Sequence, residues 1–233
     1  MIDMTVVELS RLQFALTAMY HFLFVPLTLG LSLMMAIMES VYVMTGRDIW
    51  RRMTLFWGVL FGINFAMGVA TGIVMEFQFG MNWAYYSHYV GDIFGAPLAI
   101  EGLMAFFLEA TFVGLMFFGW DKLKPHAHLF VTFMVALGTF VSAFWILSVN
   151  SWMQTPTGYV IGANGQYLPG ESWSAIIFNP SFPYRLVHTV MAAYLTTAFV
   201  VGAVVWTMAP GGYVFPAFQW PTRPFVVYAD LAP

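Results

Sequence analysis

The chain has 233 residues, of which 61% are hydrophobic, 19% aromatic and only 8% charged. A soluble domain carries about 25% charged residues, so this chain cannot cover its surface with polar groups in water and is expected in a lipid bilayer. It contains no cysteine, which excludes disulfides, thiolate-held iron–sulfur clusters, cysteine-ligated haem and cysteine zinc sites. The net charge of −3, with no basic patch, argues against a nucleic-acid partner.

Five apolar segments are long enough to cross the hydrocarbon core, which takes about 20 helical residues. They are residues 12–44, 55–80, 96–120, 128–153 and 184–208. The sequence therefore predicts an all-α, polytopic membrane protein, a helical bundle of about five transmembrane helices. A cleavable signal peptide is not expected, because the N-terminus is acidic and the first apolar segment is too long.

The connections between these segments alternate in charge. Five of the eight Lys and Arg residues lie in loops 46–52 and 121–125, whereas loops 81–95 and 154–183 contain none. The positive-inside rule then places the N-terminus outside. The aromatic residues of loop 81–95 are interpreted as an interfacial belt or as the wall of a cofactor or substrate pocket.

The first segment contains His21 in the run AMYHFLFVPL at 18–27. An imidazole at membrane depth needs a partner, and a metal, a backbone carbonyl or a polar side chain could serve. A haem or metal ligand and a packing histidine therefore both remain open. Glu39, near the other end of this segment, is expected to be interfacial. In the second segment, glycines at four-residue steps indicate close helix packing or the approach of a flat macrocycle.

The third segment contains two carboxyl side chains, Glu101 and Glu109, eight residues apart. Ionisable groups within a span are costly and usually face a cavity or a partner. On an α-helix they differ by about 80° and about 12 Å along the axis, so both can line one channel at successive depths. This arrangement suits a proton relay, and the alternative is a pair of protonated packing carboxyls.

The fifth segment begins with Arg185 and His188. The predicted orientation puts His188 near the outer face, at the depth of His21, which favours redox cofactors there. Arg185 could pair with a haem propionate, or its side chain could extend to the interface. The three remaining histidines, His88, His126 and His128, are assigned to loops and expected in solvent.

Several motifs in this order resemble subunit I of the cytochrome bd quinol oxidases. They are ELSRLQFA at 8–15 before the His21 run, GINFAMGVATG at 62–72, EFQFGMNW at 76–83, VGDIFGAPLAIE at 90–101, NSWMQTP at 150–156 and VHT at 187–189. The resemblance covers residues 1–206, which are expected to form a haem-binding membrane domain.

The resemblance implies oxidation of membrane quinol by O2, with water as product, in a bacterial inner (plasma) membrane and with a second membrane subunit. It implies two b-type haems, one low-spin and one high-spin, and a haem d. His21 would ligate a high-spin haem iron and His188 the low-spin haem b iron. Glu101 would lie beside the high-spin haems and Glu109 on the proton route.

The resemblance ends near Trp206, and residues 207–233 form a proline-rich tail that is expected to be irregular. Because family members are roughly twice as long, a truncated subunit that does not turn over alone is expected. The alternatives are a non-catalytic haem-binding membrane fragment and a proton-coupled transporter that uses Glu101 and Glu109. The transporter predicts no haem and leaves both intramembrane histidines unexplained.

Overall fold

The computed structural model of the chain describes residues 4–208, apart from the side chains of Met4, Ala105 and Met208. Five helical stretches are long and apolar enough to cross a membrane, which confirms the predicted five-span bundle. In chain order the elements are α1 (Met4–Thr45), α2 (Asp48–Gly80), α3 (Ala84–Ile100), a π-helix (Glu101–Phe106), α4 (Phe107–Phe118), α5 (Pro125–Gln154), β1 (Tyr159–Ile161), β2 (Tyr167–Pro169), α6 (Trp173–Ile177) and α7 (Phe182–Met208).

The third span begins earlier than the sequence predicted. Residues 84–95 were assigned to a loop, but they form most of α3, and this prediction is wrong. The segment contains no proline, and its two glycines are accommodated within the helix. Some of its aromatic residues pack inward instead of marking a loop, as the stacked rings of Tyr86 and Phe94 show. His88 therefore lies on a helix, although its side chain is exposed as expected. The predicted tail, apart from Thr207 and Met208 at the end of α7, lies outside the described residues.

The largest core cluster lies between α1, α2, α4 and α5, with α7 packed against it. Its buried members are Leu31, Met35, Met38, Trp57, Phe61, Met116, Val131 and Val135. Valines at 201, 204 and 205 of α7 pack on the same cluster. Residue numbers increase in the same direction along α1 and α7, so these two helices run parallel. Helix α2 returns antiparallel to α1.

Helix α1 contains Pro26 and is supported at that point by two other helices. Asn64 of α2 donates from Nδ2 to the carbonyl oxygen of Phe24 at 2.9 Å and to Thr28 Oγ1 at 2.7 Å. Thr197 of α7 donates from Oγ1 to the carbonyl oxygen of Pro26 at 3.1 Å. Proline is tolerated within a span when neighbouring helices supply such donors. These bonds fix the course of α1 one turn after His21.

The long connection between α5 and α7 covers one end of the bundle, called here the hairpin end. Strands β1 and β2 pair antiparallel, with Val160 opposite Leu168. A second buried cluster joins this connection to α3 and α5 through Val90, Ile93, Phe94, Val149, Trp152 and Ile176. The opposite end, where α1 finishes at Thr45, is called the Thr45 end.

Candidate functional site

The ring of His21 is held against α2. Its Nδ1 lies 2.8 Å from Thr71 Oγ1, and the side chain is half-buried. A Cβ atom built on Gly72 would lie 3.1 Å from Cε1 of the ring, closer than nearly all real contacts. The glycine therefore lets the imidazole approach the helix backbone, a reason that the sequence analysis did not give for these glycines.

His21 and His188 lie at the same level of two parallel helices. A Cβ on Gly30 of α1 would collide with the Thr197 side chain of α7, so the helices touch there. His21 is nine residues before Gly30, and His188 is nine residues before Thr197. Nine residues correspond to about 13 Å of helix, so both histidines lie that far from the contact towards the hairpin end.

The side chain of His188 is exposed on the surface of this five-helix bundle, and Arg185 is half-buried one turn earlier. No carboxylate pairs with the Arg185 guanidinium within residues 4–208. In a span, an exposed imidazole and an unpaired cation both need a polar or metal partner. The chemistry of the pair is compatible with an iron ligand beside an acidic group, and equally with an Arg185 side chain that extends to the interface near the start of α7.

Glu101 and Glu109 both face α5. Ser142 donates from Oγ to Glu101 Oε1 at 2.6 Å, and a Cβ on Gly138 would lie 2.6 Å from Glu109 Cγ. Glu109 is buried, with 7% of its side chain exposed. The offset of about 80° assumed a continuous α-helix, but the six-residue π-helix begins at Glu101 and changes that angle. A π-helical turn inside a span is frequent at functional sites.

The buried pair formed by Glu39 and His128 was not anticipated. His128 Nδ1 lies 2.6 Å from Glu39 Oε1, and Nε2 lies 2.9 Å from the carbonyl oxygen of Met116. The two side chains are 1% and 2% exposed, so the expectations of an interfacial Glu39 and a solvated His128 were wrong. The predicted span 128–153 began at His128. Helix α5 begins three residues earlier, at Pro125, so His128 lies within the helix and its ring is buried. His126, in the same first turn, is exposed.

Helix α5 carries a polar stripe made of His128, Thr132, Thr139 and Ser142. Each member has a partner on another helix: Thr132 donates to Glu39 Oε2 at 2.5 Å, and Thr139 is 3.0 Å from Ser32 Oγ. The spacing of four, seven and three residues puts them on one helix face. This periodicity was readable in the sequence, and it marks the face of α5 that meets α1, the π-helix and α4.

Two buried polar atoms near the His21 level have no hydrogen-bond partner in the described part of the chain. They are Gln78 Oε1 and Trp83 Nε1. Gln78 Nε2 donates to Thr17 Oγ1, one turn before His21 on α1, at 3.0 Å. Buried polar atoms are nearly always paired, so these two stand out as unsatisfied groups on the hairpin side of His21.

The five spanning helices, with imidazoles and carboxyls inside them, define an all-α, polytopic membrane protein. The family model of cytochrome bd terminal oxidase subunit I matches residues 9–211. The chain belongs to this family.

Relatives and a solved structure agree with this assignment. The chain is 60% identical over 207 residues to subunit 1 of the cytochrome bd-II ubiquinol oxidase of Escherichia coli, covering 88% of this chain and 40% of that protein. It is 48% identical to subunit 1 of the cytochrome bd ubiquinol oxidase of Bacillus subtilis, covering 86% and 42%. The bd oxidase structure from Geobacillus thermodenitrificans superposes with a TM-score of 0.82 at 30% identity, covering 89% and 48%. The chain thus spans about two fifths of the length of these curated relatives.

Proposed function

We propose that this chain provides the N-terminal part of a quinol:oxygen oxidoreductase subunit, which passes electrons from membrane quinol through haems to O2, with water as product. The observation that carries the proposal is His21. Its ring is fixed at Nδ1 by Thr71, lies against the backbone of Gly72 and is half-buried. Relatives named as ubiquinol oxidases match the whole of the region that holds it.

The residues present fit haem. Histidine is a common axial ligand of haem iron, and Gly72 admits the His21 ring against the backbone of α2. In this proposal His21 ligates a high-spin haem, His188 ligates the low-spin haem b, and Arg185 pairs with a propionate. The cofactor set is that of two b-type haems and a haem d. When bound, the haem irons supply the electron transfer and oxygen chemistry.

The carboxyls of Glu101 and Glu109 are proposed to hold and move the protons that oxygen reduction consumes. Both face α5, and Ser142 orients Glu101 by donating to Oε1. The N-terminus lies outside in this proposal, in a bacterial inner membrane, and the subunit works with a second membrane subunit.

Changing Glu109 to glutamine is expected to lower quinol-driven oxygen consumption at least tenfold, because the amide keeps the shape but cannot carry a proton. The test uses a chimera in which the 207 matched residues replace those of the Escherichia coli cytochrome bd-II subunit. Glu8→Gln, at an exposed position of α1, is the matched control. Full turnover of the Glu109→Gln chimera with normal haem content would remove Glu109 from the proton route.

The haem assignment is tested by reduced-minus-oxidised spectra of the same chimera with His21→Ala, His188→Ala and His126→Ala. Each of the first two is expected to remove the bands of one haem class, because the iron loses its axial ligand. The third is the control, since His126 is exposed and lies at the Thr45 end. Unchanged bands in all three variants would contradict the proposal, and absence of haem from the unaltered chimera would favour the transporter.

A further inference from the structure

The hydrogen bonds around Thr71 determine which nitrogen of the His21 ring carries the proton. Thr71 Oγ1 lies 2.8 Å from the carbonyl oxygen of Met67 and 3.0 Å from that of Gly68, besides 2.8 Å from His21 Nδ1. A hydroxyl has one proton, and a carbonyl oxygen can only accept. The Thr71 proton is therefore donated within α2, as threonine in helices often does.

With its own proton directed to these carbonyls, Thr71 Oγ1 accepts a hydrogen bond from the ring instead of donating one. Nδ1 then carries the hydrogen of the neutral imidazole, and the lone pair is on Nε2. The tautomer leaves Nε2 as the nitrogen able to bind a metal.

We propose that Thr71 and Gly72 are positioning residues for His21, the first by fixing the Nδ1–H tautomer and the second by admitting the ring against α2. This inference rests on the proposed role of His21 as a haem ligand. A metal-ligating histidine commonly donates its other ring N–H to an acceptor, which fixes the ring orientation and raises ligand basicity. Here a threonine hydroxyl on a neighbouring span is that acceptor.

The tautomer is testable on the full 233-residue chain in membranes without haem. Nitrogen-15 spectra of labelled histidine, with the His21 signals identified by their loss in His21→Gln, are expected to show a protonated Nδ1 and an unprotonated Nε2. Thr71→Ser keeps the hydroxyl and should keep this pattern. Thr71→Val keeps the shape without the hydroxyl, and the signals should shift to a mixture of tautomers.

The consequence for haem is measured in the chimera with the Escherichia coli protein. Thr71→Val is expected to weaken haem retention at the His21 site about 10-fold or more, the usual effect of losing an outer partner of a ligating histidine. Thr71→Ser should restore it. Gly72→Val should also weaken retention, because its side chain would occupy the position of the ring, whereas Gly80→Val, with open space around it, is the control.

Two results would overturn the inference. One is a wild-type ring protonated at Nε2, and the other is a Thr71→Val chain with wild-type nitrogen signals and haem retention. These results are separable from failure of the proposed function. If His21→Ala keeps all haem bands, the ligand assignment fails, whereas loss of bands in His21→Ala but not in Thr71→Val contradicts the positioning role alone.

Discussion

Replacing Glu39 by alanine is expected to lower the free energy of unfolding by about 3 kcal/mol, because it leaves a buried donor of His128 without its acceptor. The bond from His128 Nδ1 to Glu39 Oε1 is 2.6 Å long, and both side chains are almost fully buried. Nε2 faces a carbonyl oxygen and must carry a proton, so the Glu39–His128 contact shares one further proton. Thr132 would lose its carboxylate partner as well.

The measurement is unfolding of the detergent-solubilised chain, with Glu8→Ala on the same helix as the matched control. A double variant, Glu39→Leu with His128→Leu, should cost less than the sum of the two single changes, because it removes both polar partners together. Strictly additive effects of the two single variants would show that the pair makes no mutual contribution to stability.

Gly30→Ala is expected to destabilise the bundle by about 1–3 kcal/mol, since the new methyl group overpacks the contact between α1 and α7. Its Cβ would lie 2.5 Å from Thr197 Cβ, which is attached to the α7 backbone and cannot rotate away. The helices must separate, and the Thr197 bond to Pro26 is lost with them. Thermal unfolding followed by circular dichroism measures the effect.

The glycine of α7 at position 202 provides the control, because nothing lies within 4 Å of a Cβ built there. Gly202→Ala should be neutral or slightly stabilising, as alanine is the better helix former. The double variant Gly30→Ala with Thr197→Gly should cost less than the sum of the two single changes, because removing the Thr197 side chain removes the clash even though its bond to Pro26 is lost. Strictly additive effects would show that the close approach of α1 and α7 is not the cause.

Hydropathy alone predicted the number and approximate limits of the spans, because a helix needs about 20 apolar residues to cross the bilayer, independent of its tertiary contacts. It failed for residues 84–95, which are polar and aromatic enough to suggest an interface yet continue as helix α3. What holds them is packing against α5 and the hairpin end, through Trp152 among others. That contact joins residues far apart in the chain, and a single sequence does not show which distant segments pack together.

The same limit applies to Glu39 and His128. A single Glu or His at the edge of an apolar segment is typical of an interfacial side chain. The bond between Glu39 and His128 forms only because α1 and α5 are adjacent in the fold. Glu109 differs, because a carboxyl deep within an apolar span is costly, and it was singled out on that ground without knowledge of its neighbours, with protonated packing carboxyls as the alternative. The π-helix at Glu101 could not be anticipated, since it depends on backbone geometry.

The partnership of Glu39 with His128 also bears on how the chain is made. Glu39 leaves the ribosome 89 residues before His128, which at about 5–20 residues per second is a delay of about 4–18 s. Throughout this interval α1 is in place without the imidazole that will pair with its carboxyl. Insertion of α5 supplies that imidazole, together with the hydroxyls of Thr132 and Thr139, before α7 is made.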